Sequence, residues 1–120
     1  MKTVAVIEDD EMLAGSLRQL FEAEGDKAVA YADPPPVEEL AGVHPDLVIL
    51  DCLLTTTSGP DYLRELRGNP ELADVPVIMT TGFDALYDSL KELESEHVAV
   101  LRKPLRSAEL KETVRRLSAP

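Results

Sequence analysis

Five short apolar runs, alternating with stretches of helical spacing, constrain this chain more than any other feature of its sequence. The runs are TVAVI (3–7), KAVAY (27–31), DLVIL (46–50), PVIMT (76–80) and HVAVLR (97–102). The first, third and fourth are nearly unbroken Val, Ile, Leu or Met, the pattern of strands covered on both faces of a parallel sheet. The second is weaker, as suits an edge strand. In the intervening stretches, apolar residues form stripes at three- and four-residue spacing. They are Leu13, Leu17, Leu20 and Phe21; Tyr62, Leu63 and Leu66; Leu86, Leu90 and Leu93; and Leu110, Val114 and Leu117. Asp84 and Ser107 are expected N-caps, and Gly25 and Gly68 expected helix stops. Around 33–42 the run DPPPVEEL allows proline only in a first turn, so any helix there is short.

This β-α alternation predicts a doubly wound α/β sheet. No composition break, repeat or linker interrupts it, so residues 1–120 are expected to form a single domain. The chain has 12 Lys and Arg against 23 Asp and Glu, a net charge of −11. That balance argues against direct binding to nucleic acid, whose affinity comes largely from cations neutralising phosphates, and against attraction to an anionic membrane. No apolar run approaches the roughly 20 residues needed to span a bilayer. The start MKTVAVIEDD turns acidic too soon for a signal peptide. One cysteine excludes an intrachain disulfide, and a cytoplasmic setting is the expectation.

In an open α/β sheet, sites form at the carboxyl ends of the strands. Glu8-Asp9-Asp10-Glu11 follows the first run, Asp51 the third, Thr81-Gly82 the fourth and Lys103-Pro104 the fifth. Singly each has an ordinary explanation, such as a solvated helix start for the acidic cluster. Together they bring chemistry to one crevice. Carboxylates gathered from two strand ends repel unless a cation joins them, and hard oxygen ligands suit Mg²⁺. Beside such a metal, Asp51 can attack a phosphoryl group and form an aspartyl phosphate. Lys103 and Thr81 are candidates to hold the remaining phosphoryl oxygens.

These pieces, VIEDD, PDLVILD, PVIMTTG and LRKPL, resemble in order and spacing the receiver (response-regulator) domain of two-component signalling. The resemblance covers essentially the whole chain. It implies a flavodoxin-like five-stranded parallel sheet of order 2-1-3-4-5 with five helices. It implies that Asp51 is the phosphoacceptor, and that Glu8, Asp9, Asp51 and the backbone carbonyl of Leu53 bind Mg²⁺. By the same resemblance Thr81 contacts the phosphoryl group and moves on activation, Gly82 leaves room beside it, and Lys103 pairs with the phosphoryl group. The Lys103–Pro104 peptide is commonly cis in such domains. The implied partners are a sensor histidine kinase or histidine phosphotransfer protein, and a downstream protein target met through the fourth helix, fifth strand and fifth helix.

The sequence departs from the family in two places. The loop after the phosphoacceptor reads Thr55-Thr56-Thr57-Ser58-Gly59, without the usual proline, so a more mobile loop is expected. The fifth strand has Val100 where an aromatic residue usually swings inward, so activation must pass through loop and helix movement instead. Cys52 reads as a small buried residue, and Phe83 as an aromatic near the crevice that slows water's approach. His44 and His97 read as ordinary residues flanking strands. An unphosphorylated receiver-like scaffold is the alternative function. An aspartate-nucleophile phosphatase is disfavoured because position 53 is leucine rather than a second aspartate, and nucleotide hydrolysis because no G-x-x-x-x-G-K-[ST] loop occurs. The domain is thus expected to be a phosphoacceptor rather than an enzyme, assisting its own phosphorylation and dephosphorylation. Either a stand-alone regulator or a receiver within a larger protein fits the pattern.

Overall fold

Each apolar run forms a five-residue strand, and each intervening stretch a helix. The computed structural model, described here for residues 1–118, contains β1 (Thr3–Ile7), α1 (Glu11–Ala23), β2 (Lys27–Tyr31), α2 (Val37–Val43) and β3 (Leu47–Asp51). They are followed by α3 (Gly59–Arg67), β4 (Val77–Thr81), α4 (Asp84–Lys91), β5 (Val98–Arg102) and α5 (Ser107–Ser118). The strands are all parallel, in the order β2-β1-β3-β4-β5. The central β3 and β4 are buried at every position, whereas the edge strand β2 is only partly so.

Successive strand side chains point to opposite faces, which divides the core in two. Ala5, Ile7, Val48, Leu50, Val77, Met79, Val98 and Val100 pack with α2, α3 and α4 residues such as Leu40, Tyr62, Leu66 and Leu90. Val4, Val6, Ile49, Ile78, Ala99 and Leu101 pack with Leu17 and Phe21 of α1 and Leu110, Val114 and Leu117 of α5. Three of the four helical stripes are therefore core stripes. The fourth is not: Leu90 is buried, but Leu86 is 37 % exposed and Leu93, beyond the helix end, is 40 % exposed.

Several boundaries differ from the sequence expectation. The third and fourth strands each run one residue later than their apolar runs, so Asp51 and Thr81 are the last residues of strands rather than the first of loops. Backbone pairing causes this: Asp51 lies in register with Thr80, and the Cys52 N–H donates to the Thr80 carbonyl at 2.9 Å. At the other end, Asp46 stays out of β3 because its carboxylate accepts the Thr3 N–H at 2.8 Å. Asp84 and Ser107 are the first residues of their helices rather than caps. Phe83 takes the cap position of α4 and offers no side-chain cap bond. Gly25 follows α1 at φ 87°, a left-handed conformation open to glycine, while Gly68 caps α3 at an ordinary φ of −78°. The short α2 begins directly after the three prolines, as its sequence requires.

Candidate functional site

The acidic cluster after β1 divides between two tasks. Asp10 caps α1, its Oδ1 accepting the N–H groups of Met12 at 3.0 Å and Leu13 at 3.3 Å. Glu11 lies in the first turn, where a negative charge suits the helix dipole. Glu8 and Asp9 remain for the crevice. By strand alternation Glu8 continues the Val4–Val6 face of β1, and Asp51 the Leu47–Ile49 face of β3, so both point toward the α1 and α5 side. One carboxylate oxygen from each of Glu8, Asp9 and Asp51 lies within 4.8 Å of the others. Glu8 is 3 % exposed and Asp51 6 % exposed, whereas Asp9 sits at the open mouth.

Lys103, two residues beyond the Leu101 position of β5, reaches into this group. Its Nζ is 2.8 Å from Glu8 Oε1 and 3.5 Å from Asp51 Oδ2. Burial works against the ammonium, but the hydrogen bond to Glu8 and the charge of Asp51 outweigh it, so the Lys103 pKa is raised and the cation is secured. The free oxygens of the two acids are steadied by backbone donors: Asp10 N–H gives to Glu8 Oε2 at 3.2 Å and Leu53 N–H to Asp51 Oδ1 at 3.4 Å. The Lys103–Pro104 peptide is cis.

Thr81 closes the far side. It is fully buried, and its Oγ1 accepts the Phe83 N–H at 3.1 Å. Alternation places its side chain on the α3 and α4 face with Met79, next to Cys52. Burial pushes the Cys52 thiol up. Gly82 is exposed, and a Cβ there would meet only the Lys103 side chain, at 4.0 Å. Phe83 is 57 % exposed. His44 and His97 lie before β3 and β5, at the amino ends of those strands and away from the crevice.

The threonine loop is more closed than its lack of proline suggests. Gly59 N–H donates to the Cys52 carbonyl at 2.8 Å, Leu54 N–H to the Thr57 carbonyl at 3.2 Å, and Leu53 pairs with Ser58 as an antiparallel bridge. Only Thr55 and Thr56, at the tip, are free of these bonds and exposed. The bonds use the carbonyls of Cys52 and Thr57, leaving that of Leu53 out of them. Gly59 itself is a site-building residue that the sequence does not reveal as such. A Cβ there would lie 2.7 Å from Cys52 Cα and 2.9 Å from the Asp51 carbonyl oxygen. Its mark in the sequence is its place as the final glycine of the loop after Asp51.

Within this crevice three carboxylates face one ammonium, an excess of two negative charges among hard oxygen donors. Such a set fits one divalent cation that prefers oxygen. A doubly wound parallel sheet with this crevice at its carboxyl edge, and a lysine and a hydroxyl at its sides, is the arrangement that the resemblance to receiver domains implies. The comparisons agree. A profile of the response regulator receiver domain matches residues 4–115. The sensory transduction protein RegX3 of Mycobacterium tuberculosis is 35 % identical over 111 residues, covering 92 % of this chain and 48 % of that protein. The polar-differentiation response regulator DivK of Brucella anthropi is 30 % identical over 115 residues, covering 95 % of this chain and 94 % of DivK. The signal receiver domain of a DNA-binding response regulator from Colwellia psychrerythraea superposes with a TM-score of 0.81 at 27 % identity, over 98 % of both chains. The chain belongs to the response regulator receiver domains of two-component signalling. It spans about half the length of RegX3.

Proposed function

We propose that Asp51 accepts a phosphoryl group from a phosphohistidine of a sensor kinase or phosphotransfer protein, and that Glu8, Asp9, Asp51 and the Leu53 carbonyl hold the Mg²⁺ this requires. The observation that carries the reading is the convergence of the three carboxylates within 4.8 Å, with the Lys103 ammonium 2.8 Å from one and 3.5 Å from another. A cation held by these residues would supply charge neutralisation for the approach of the phosphoryl group. An Asp51 carboxylate oxygen forms a bond to phosphorus as the phosphorus–nitrogen bond of the donor breaks, and the released imidazole keeps the electron pair of that bond. Lys103 exchanges part of its pairing with Glu8 for a phosphoryl oxygen. The Thr81 hydroxyl, whose oxygen already accepts the Phe83 N–H, still has its own hydrogen to donate to another phosphoryl oxygen.

On this reading the chain works as one cytoplasmic domain, an acceptor that assists its own phosphorylation and dephosphorylation rather than turning over an external substrate. Its output is a change in protein contacts on the α4, β5 and α5 face. Among the described residues no helix is long and apolar enough to cross a membrane. The test is incubation with Mg²⁺ and acetyl phosphate or phosphoramidate, followed by intact mass. One added phosphoryl group is expected, and it should be missing from Asp51→Ala and from metal-free samples. Equal modification of Asp51→Ala, or no modification of the native chain by small donors and by a broad set of histidine kinases, rules the reading out.

A further inference from the structure

The receiver family's inward-swinging aromatic is missing from β5, yet an aromatic of α4 stands against the same face of that strand. Tyr87 of α4 is half-buried against the core cluster that contains Val100. The Arg102 guanidinium at the end of β5 lies 4.6 Å from its ring centroid, and the Lys91 ammonium 5.5 Å. Arg102 Nε also lies 3.3 Å from Asp84 Oδ1, at the first residue of the helix. The links continue at the other end of α4. Lys91 Nζ is 2.8 Å from Glu94 Oε1, and Glu94 Oε2 accepts the Val100 N–H at 3.1 Å. With Leu90 its only buried residue, α4 is held to β5 by this chain of charges and one ring more than by apolar packing.

Both ends of the Tyr87–Arg102 contact lead back to the crevice. Phe83 N–H donates to Thr81 Oγ1, and the Phe83 carbonyl accepts the Tyr87 N–H at 3.0 Å. Thr81 and Tyr87 are thus joined through one residue. Arg102 immediately precedes Lys103, whose N–H donates to the Thr81 carbonyl at 2.7 Å. The two groups set to hold phosphoryl oxygens, the Thr81 hydroxyl and the Lys103 ammonium, are therefore attached to opposite partners of one stack.

We propose that Tyr87, stacked on an Arg102 that is itself paired with Asp84, is the residue through which this receiver transmits phosphorylation to its α4–β5 surface. The inference rests on the reading of Asp51 as phosphoacceptor. In the unphosphorylated state the stack holds α4 against β5. When Thr81 and Lys103 are drawn to the phosphoryl group, the stack is pulled apart and α4 is released. Tyr87 and Arg102 touch no reacting atom, so they act on the readout and not on the chemistry.

The test compares the native chain with Tyr87→Phe, Tyr87→Leu and Arg102→Gln, before and after treatment with acetyl phosphate and Mg²⁺. Intact mass reports phosphoryl incorporation, and hydrogen exchange of α4 amides reports the helix. Incorporation should be equal in all four proteins. In the native chain and in Tyr87→Phe, which keeps the ring, phosphorylation should speed α4 exchange about two- to fivefold, as loss of an exposed cation–π contact implies. In Tyr87→Leu and Arg102→Gln, α4 should exchange at the faster rate already, with little further change. If Tyr87→Leu responds to phosphorylation as the native chain does, or the native α4 is unmoved while the mass shift is present, the stack is not the transmitter. Absence of the mass shift from the native chain overturns the Asp51 reading itself, and this inference with it.

Discussion

Adding one methyl group at position 59 should damage both the stability and the chemistry of this domain. The Cβ of alanine would lie 2.7 Å from Cys52 Cα and 2.9 Å from the Asp51 carbonyl oxygen, both backbone atoms that no rotamer change can move. Carbon atoms pack best at about 3.5–4.0 Å, so the start of α3 and the Asp51–Cys52 segment must separate by roughly 0.8 Å. Overpacking of this kind costs about 1–3 kcal/mol, and the reduced freedom of the unfolded alanine chain offsets up to about 1 of it. A net loss of about 1–2 kcal/mol is expected for Gly59→Ala, read from urea denaturation as a lower midpoint with an unchanged slope. Because the displaced segment carries Asp51, the proposed phosphoacceptor, the rate of phosphorylation by acetyl phosphate should fall on the order of 10- to 100-fold, as misplacement approaching an ångström implies. Gly15 supplies the control: a Cβ there meets nothing within 4 Å, so Gly15→Ala in the middle of α1 should stabilise by up to about 1 kcal/mol. The reasoning fails if Gly59→Ala melts with the native protein and is phosphorylated at the native rate.

Mg²⁺ should raise the melting temperature of the native chain, since a ligand at ten times its dissociation constant adds about 1.4 kcal/mol to the folded state. Thermal melts of Asp9→Asn with and without the ion should coincide, and a native-sized shift in that variant would remove Asp9 from the metal set. Tyr62 donates its hydroxyl to the Pro35 carbonyl at 2.6 Å, and burial raises its pKa well above the ordinary tyrosine value. The raised folded pKa means that this contribution is complete below about pH 10, the unfolded value, and is lost as pH climbs beyond it. Tyr62→Phe should therefore lose about 1 kcal/mol at neutral pH and show a shallower alkaline decline; an unchanged alkaline profile in denaturant melts would contradict the assignment. Phe83→Ala should speed loss of the phosphoryl group, followed by mass after donor removal, and an unaltered rate means that the ring does not shield the crevice.

The sheet could be read from sequence because burial on two faces forces a composition that few other structures need. The runs at β1, β3 and β4 are apolar at consecutive positions, and that pattern fixed their central places. The strand ends were harder to locate. Asp51 and Thr81 are placed by backbone pairing with neighbouring strands, which polar residues join as readily as apolar ones. The crevice residues can be grouped from sequence because polar groups at four strand ends of one sheet must share an edge, and the structure brings Glu8, Asp9, Asp51 and Lys103 together there. Their division of labour is legible only through the family resemblance, which assigns Glu8 and Asp9 to the metal; nothing in the run Glu8-Asp9-Asp10-Glu11 by itself says that Asp10 caps the helix. Gly59 was noticed only as the end of a loop, because a close approach to another segment leaves no local mark. The stripe of Leu86, Leu90 and Leu93 misled for a different reason, since helical spacing cannot say whether packing or charge holds a helix in place.

The α4–β5 connection shows how Val100 fits an edge strand. As the last strand of the sheet, β5 presents its outer backbone groups to solvent, a template for pairing with another chain. Here Ser95 and Val98 bond to each other's backbones, at 3.0 and 3.5 Å, and the Glu94 carboxylate takes the Val100 N–H. Burial opposes ionisation of Glu94, but the Lys91 ammonium and that N–H outweigh it and hold the carboxyl below its usual range. The carboxylate therefore covers the edge of β5 and, through Lys91, extends the chain of contacts that ends at Tyr87. Valine at position 100 remains in the core at 2 % exposure, where a large ring would have to enter by moving α4. The same contacts that close the edge thus fix the helix, so releasing α4 would also uncover a strand edge. On the proposed function, a surface that appears only on release would suit a phosphorylation-dependent partner, because it offers the partner nothing before the proposed modification of Asp51.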